Sequence, residues 1–117
     1  MNIAEVILQF YNISCVRPII KKMKIQSKRY FKQLQKVRLS YIETDFYHPC
    51  LEELTSLIYA FQVNTNNMII YGHDIKRRKS ILNDNVQLEK YIAKLMRHSE
   101  TLLTDYKMTQ LRPRHSI

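Results

Sequence analysis

One glycine and three prolines in 117 residues are too few for a β-rich chain, which needs turn residues about every 8–12 positions to reverse its strands. An all-α fold is therefore expected. Cysteine is almost as scarce, with only Cys15 and Cys50. The chain starts with mixed apolar and polar residues, and no signal-peptide cleavage pattern follows. Both cysteines are expected as free, buried thiols of a cytoplasmic protein, or of one in the host cytoplasm or nucleus if the source is viral. No apolar run approaches the roughly 20 residues needed to cross a bilayer, so no transmembrane segment is expected.

The residue sets that build chemistry are missing too. His48 and Cys50 are the only close pair of metal-ligating side chains; His73, His98 and His115 stand apart, and no paired Cys-x2-Cys spacing occurs. A single glycine cannot build a phosphate loop, and there is no Gly-x-Ser-x-Gly or His-Glu-x-x-His pattern. Glu52 and Glu53 are adjacent, so on a helix they diverge by about 100° and cannot face one substrate together. The expectation is a protein that is not an enzyme and needs no metal or cofactor.

Acidic residues are absent from one long stretch. Between Glu5 and Glu43 there are none, while Arg17, Lys21, Lys22, Lys24, Lys28, Arg29, Lys32, Lys36 and Arg38 contribute nine positive charges. The rest of the chain balances ten basic against ten acidic residues, so the formal net charge of +9 belongs to this segment.

Apolar residues make up 45% of the chain and are spread along it. That separates the chain from disordered sequences, in which high charge accompanies low hydrophobicity. At this length one domain can bury roughly 65% of its unfolded surface, and two domains would leave neither a workable core. A single helical domain over 1–111 is expected, with 112–117, which contains Pro113, as a mobile basic tail.

Four segments carry apolar residues at alternating steps of three and four, the spacing of helices packed along a narrow seam. The first, about 2–16, reads Ile3, Val6, Phe10, Ile13 behind Asn2 as N-cap and ends or kinks at the Arg17-Pro18 step. The second, 18–43, reads Ile20, Met23, Ser27, Tyr30, Leu34, Val37, Tyr41 without a missed step. A loop over 44–49 follows. The third, 49–71, reads Leu51, Leu54, Ile58, Phe61, Thr65, Met68 and stops at Gly72. Residues 64–71 also suit a turn before a short strand; a continuous helix is the reading favoured. After a break at Asn83-Asp84-Asn85, where Asp84 and Gln87 have capping-box spacing, the fourth runs over 85–109 with Leu88, Ile92, Leu95, Ser99, Leu102, Tyr106. The whole reads as an antiparallel bundle of four main helices crossing at about 20°. Ser27, Thr65 and Ser99 weaken their seams midway, so the same pattern also admits a homodimer.

At about 100° per residue, Lys21, Lys22, Lys28, Arg29, Lys32 and Lys36 gather on the arc opposite the seam of the 18–43 helix. A merely solvated face usually interleaves both signs for i to i+4 pairing, and this one does not. These six are the candidate phosphate-binding residues. A second cluster, Lys76, Arg77, Arg78 and Lys79, is expected in a loop or short basic helix just after Gly72. It suits an extension of the phosphate surface, a nuclear-import signal, or a basic kinase context for Ser80. Arg112, Arg114 and His115 would add loose contacts from the tail. Tyr30 and Phe31 sit among the cations as a base-stacking pair would, but Tyr30 falls on the seam and Phe31 at its edge, which assigns both to the core.

Two function classes follow as expectations. One is a small basic protein that binds or accompanies DNA or RNA through phosphate contacts. The other is a protein-interaction or regulatory factor whose basic helix meets an acidic protein or an anionic membrane surface. In architecture alone the second is similar to the cytosolic immunity proteins that guard bacteria against their own bacteriocins, and to phage and viral regulators. Abundant Ile, Lys, Asn and Tyr beside little Ala and Gly match the codon bias of AT-rich genomes, many phages and viruses among them; this bears on source and not on function.

Overall fold

The computed structural model of the protein describes the backbone of residues 2–111 and the side chains of residues 2–4 and 14–111. The expected tail, with Arg112, Arg114 and His115, lies outside the described residues, as do the side chains of Val6, Phe10 and Ile13. Among the described residues there are three helices and no strand: α1 (Ile3–Glu43), α2 (Cys50–Tyr71) and α3 (Ile75–Leu111). The all-α class holds and the count of four helices does not, because two expected breaks are absent.

The first is Pro18, which lies inside α1. A proline within a helix costs about 3 kcal/mol through a lost hydrogen bond and a clash with the carbonyl one turn back. Pro18 and Ser14 are both exposed, so the carbonyl left without its donor faces water. The seam continues on either side, with Val16 and Met23 buried against Met68 and Ile81, and that burial offsets the proline.

The second is Asn83-Asp84-Asn85, which continues α3. Asn85 is buried at the seam step between Ile81 and Leu88, and its Oδ1 accepts a hydrogen bond from Asn64 Nδ2 at 3.3 Å. This tertiary partner overrides the weak helix preference of the triplet. The helix starts at Asp74 instead of Asp84: Asp74 Oδ1 accepts from the backbone N–H of Lys76 at 3.0 Å and of Arg77 at 3.3 Å, the bonds of an N-cap. Residues 64–71 are helical to the end of α2. There Gln62 bonds Asn66, and Thr65 Oγ1 donates to the Phe61 carbonyl.

The expected loop over 44–49 begins with a Schellman turn. Asp45 has φ 53°, its N–H reaches the Ile42 carbonyl, and the Phe46 N–H reaches that of Tyr41. The Phe46 ring then packs on Tyr41 and stacks on Tyr106 of α3 at 4.7 Å. At the other end Gly72 closes α2 with φ −64°, so backbone freedom is not its role. A Cβ there would meet the Met68 carbonyl oxygen and lie 3.0 Å from Val16 Cγ1; the glycine permits close approach of α1 to the α2–α3 turn.

Helix α2 packs on both neighbours, while α1 and α3 touch each other less. The main core joins Leu34, Tyr41, Leu54, Ile58, Phe61 and Ile92, with Tyr30 set edge-on to Phe61 at 5.1 Å. A smaller core of Val16, Met23, Met68 and Ile81 lies beside the α2–α3 turn. Polar ties join every pair of helices, among them Ser27 to Gln62, Asn64 to Asn85, and Tyr41 Oη donating to the Ser99 carbonyl at 2.8 Å. The result is a rod of 86 × 19 × 15 Å with a radius of gyration of 20.4 Å, against about 13 Å for a compact chain of this length.

Candidate nucleic-acid interface

With the seam of α1 turned toward α2 and α3, its far side is left to solvent. Lys21, Lys22, Lys28, Arg29, Lys32 and Lys36 are all exposed and lie within an arc of about 120° centred opposite Leu34. Arg17 and Lys24 flank that arc. Arg38 turns toward α2 and donates to Thr55 Oγ1 at 3.1 Å. The only ion pair within 4.0 Å among the described residues is Arg77 with Asp74, so no carboxylate neutralises the arc at contact distance. Like charges one turn apart repel by a few tenths of a kcal/mol per pair, a cost that an external polyanion would remove.

The arc has two sides. Lys22 and Arg29 line an open groove of about 380 Å³ with Met23, Gln26 and, from α3, Glu89. Lys36 lines a second, of about 200 Å³, with Ser40, Glu100 and Thr104. Lys22, Arg29 and Lys36 therefore form the rim along the α1–α3 boundary, while Lys21, Lys28 and Lys32 lie farther round, away from α3. Of the opposite rim, sequence reasoning named Lys79 but missed Lys90 and Arg97. Lys79, Lys90 and Arg97 of α3 are exposed and, being eleven and seven residues apart, share one side of α3 just outside Glu89 and Glu100. That spacing was legible once α3 is read as continuous from Ile75.

The cluster Lys76, Arg77, Arg78 and Lys79 is not a loop; it forms the first turn of α3, where consecutive residues point about 100° apart and cannot make one patch. Two of the four are occupied structurally. Arg77 sits 4.4 Å over the Tyr71 ring beside Asp74, and Arg78 donates to the Gly72 carbonyl at 3.1 Å, a cation placed at the C-terminal end of α2. Lys76 and Lys79 are exposed, as is Ser80, which lines a groove of about 250 Å³ with Asn64, Asn67 and Asp84.

Tyr30 and Phe31 pack inward, Phe31 edge-on to Tyr59 at 5.3 Å. His98 does not stand apart as expected: the loop before α2 lays His48 across it, ring centroids 6.0 Å apart, while His48 Nδ1 accepts from the Cys50 N–H. Among the described residues no group of three His, Cys, Asp or Glu could hold a metal, and no helix is long and apolar enough to cross a membrane. Cys15 is half-buried and Cys50 buried, both free. Comparison with known proteins found no matching family, no matching curated protein and no matching solved structure.

Proposed function

We propose that the chain is a small basic nucleic-acid-binding or nucleic-acid-associated accessory protein that acts by binding, and that the exposed arc of α1 grips a phosphate backbone. The observation that carries this reading is the set of six exposed cations on one arc of a helix whose stretch from Glu5 to Glu43 holds no acidic residue. The row Lys22, Arg29, Lys36 extends about 21 Å at 1.5 Å per residue, enough to follow several phosphates spaced about 3.4 Å per axial step on one strand. Base readout needs Arg, Asn or Gln aimed together into a groove; Gln26 and Gln33 lie on the flank of α1 nearer α3, Gln26 lining the groove with Glu89, and Gln35 points to the other side of the helix, so binding is read as independent of sequence.

The test is fluorescence anisotropy of the protein with short duplex DNA, single-stranded DNA and RNA at two salt concentrations. The variant Lys28→Glu, Arg29→Glu, Lys32→Glu runs alongside; all three residues are off the seam, so its fold should survive. Binding that the variant loses supports the reading, and absence of binding at low salt overturns it.

A second reading has one observation in its favour. Ile25 and Leu39 are exposed within the basic arc, and an acidic protein surface or an anionic membrane would cover them where a phosphate backbone would not. On this reading the chain is an interaction or regulatory factor. Its binding would survive added salt better than a phosphate contact does.

A further inference from the structure

Among the helices the positive charge lies on two of the three. Helix α1 carries nine basic against two acidic residues and α3 eight against four, whereas α2 carries none against two, Glu52 and Glu53. The solvent side of α2 sets three large apolar residues among the exposed polar Glu52, Ser56 and Asn66. Tyr59, Val63 and Ile70 are 55%, 56% and 56% exposed and lie within about 40° of one another opposite Phe61. Beside them an open groove of about 510 Å³ runs between α2 and α3, floored by Leu57 and Leu95 and walled by Tyr91, with Glu53 and Lys94 at its edge.

We infer that this face of α2 pairs with the same face of a second copy, the two α2 helices antiparallel about a two-fold axis level with Phe61. Charge selects the occupant. A chain of net charge +9 repels its own copy through α1 or α3, and α2 is the one helix through which two copies approach without opposing cations. The antiparallel sense adds complementarity: it sets Glu52 and Glu53 of each copy within about one turn of the level of Lys76 on the other. Tyr59 then faces the second copy's Val63 and Ser56 its Asn66, while Ile70 comes level with its Glu52, about 7.5 Å along the helix from Leu57 at the end of the α2–α3 groove. The arrangement is isologous, so both copies bury the same residues. One face of a helix about 33 Å long buries on the order of 1,000 Å² in total, near the lower bound for a specific interface, so the association is concentration-dependent. The pairing leaves both α1 arcs uncovered on the outside and does not depend on what they bind.

Sedimentation equilibrium of the full chain from about 1 to 100 µM reads the mass directly. A shift from 14.1 kDa toward twice that mass is expected, with Val63→Glu weakening association about tenfold or more while helix content by circular dichroism stays that of the parent. Leu39→Glu, an equally exposed site on α1, serves as control and should associate like the parent. A chain that stays monomeric across the range, a dimer unaffected by Val63→Glu, or equal loss in Leu39→Glu each overturns the assignment.

Discussion

Tyr41 sits where the three helices meet. It belongs to α1, its hydroxyl donates to the Ser99 carbonyl of α3 and lies 3.8 Å from Cys50 Sγ at the start of α2, and its ring packs on Phe46. Burial, with the Cys50 thiol beside it, pushes its pKa well above the ordinary tyrosine value; burial also raises that of Tyr30. An unfolded phenol releases its proton near pH 10 while the folded one keeps it, so stability is intact below about pH 10 and falls as pH rises beyond it. Tyr41→Phe should cost about 1–2 kcal/mol at neutral pH through the lost bond to Ser99. It should also make the alkaline decline shallower. Urea melts of both proteins at pH 7 and pH 11 check both effects, and an unchanged pH profile would remove Tyr41 as its source. Ser27, Thr65 and Ser99, which read in sequence as weak points of the seams, are each satisfied by a bond to a neighbouring helix or to their own preceding turn. Buried polar atoms with partners cost little and single out one register.

At the scale of elements, the seams from Met23 to Tyr41 and from Leu54 to Met68 were legible because each is an unbroken run of three-four steps, whereas on α3 the expected Leu88, Leu95, Leu102 and Tyr106 are half-buried and the buried seam runs through Ile92, Met96, Ser99 and Leu103. The breaks were not legible to the same degree. Local chemistry at Pro18 and at Asn83-Asp84-Asn85 argues for a helix end, and only contacts distant in sequence, Val16 with Met68 and Asn85 with Asn64, decide otherwise. The six α1 cations were legible because they follow from the seam of their own helix, while the rim of Lys79, Lys90 and Arg97 depends on where α3 begins. Two substitutions test these boundaries. Pro18→Ala should stabilise the protein by about 1–3 kcal/mol, since it restores a helix bond at an exposed site; a destabilised variant would mean that the proline sets a needed bend. Asp74→Ala should lower stability by about 1 kcal/mol, whereas Asp84→Ala should leave it within about 0.5 kcal/mol. Thermal melts that reverse this order would move the start of α3 back to residue 84.

The whole molecule is a rod with its charge segregated along it. A tight α2–α3 turn at Gly72 and a longer link over 44–49 let α2 lie between its neighbours, which places the cationic arc of α1 on the outside and leaves α1 and α3 separated by open grooves with Glu89 and Glu100 on the α3 side. Those carboxylates disfavour an anion inside the grooves, so on the proposed reading phosphates meet the rims and the affinity of the arc should be electrostatic and additive over its cations. The most direct measurement is the dependence of nucleic-acid affinity on salt. If the six arc residues each neutralise a phosphate, log K should fall against log salt with a slope of about −5 on duplex DNA. A triple variant Lys28→Ala, Arg29→Ala, Lys32→Ala, which removes three contacts without reversing their charge, should reduce that slope by about 3, at roughly 0.9 per contact. A slope near zero, or one unchanged in the triple variant, would contradict the assignment of α1 as the phosphate-binding face.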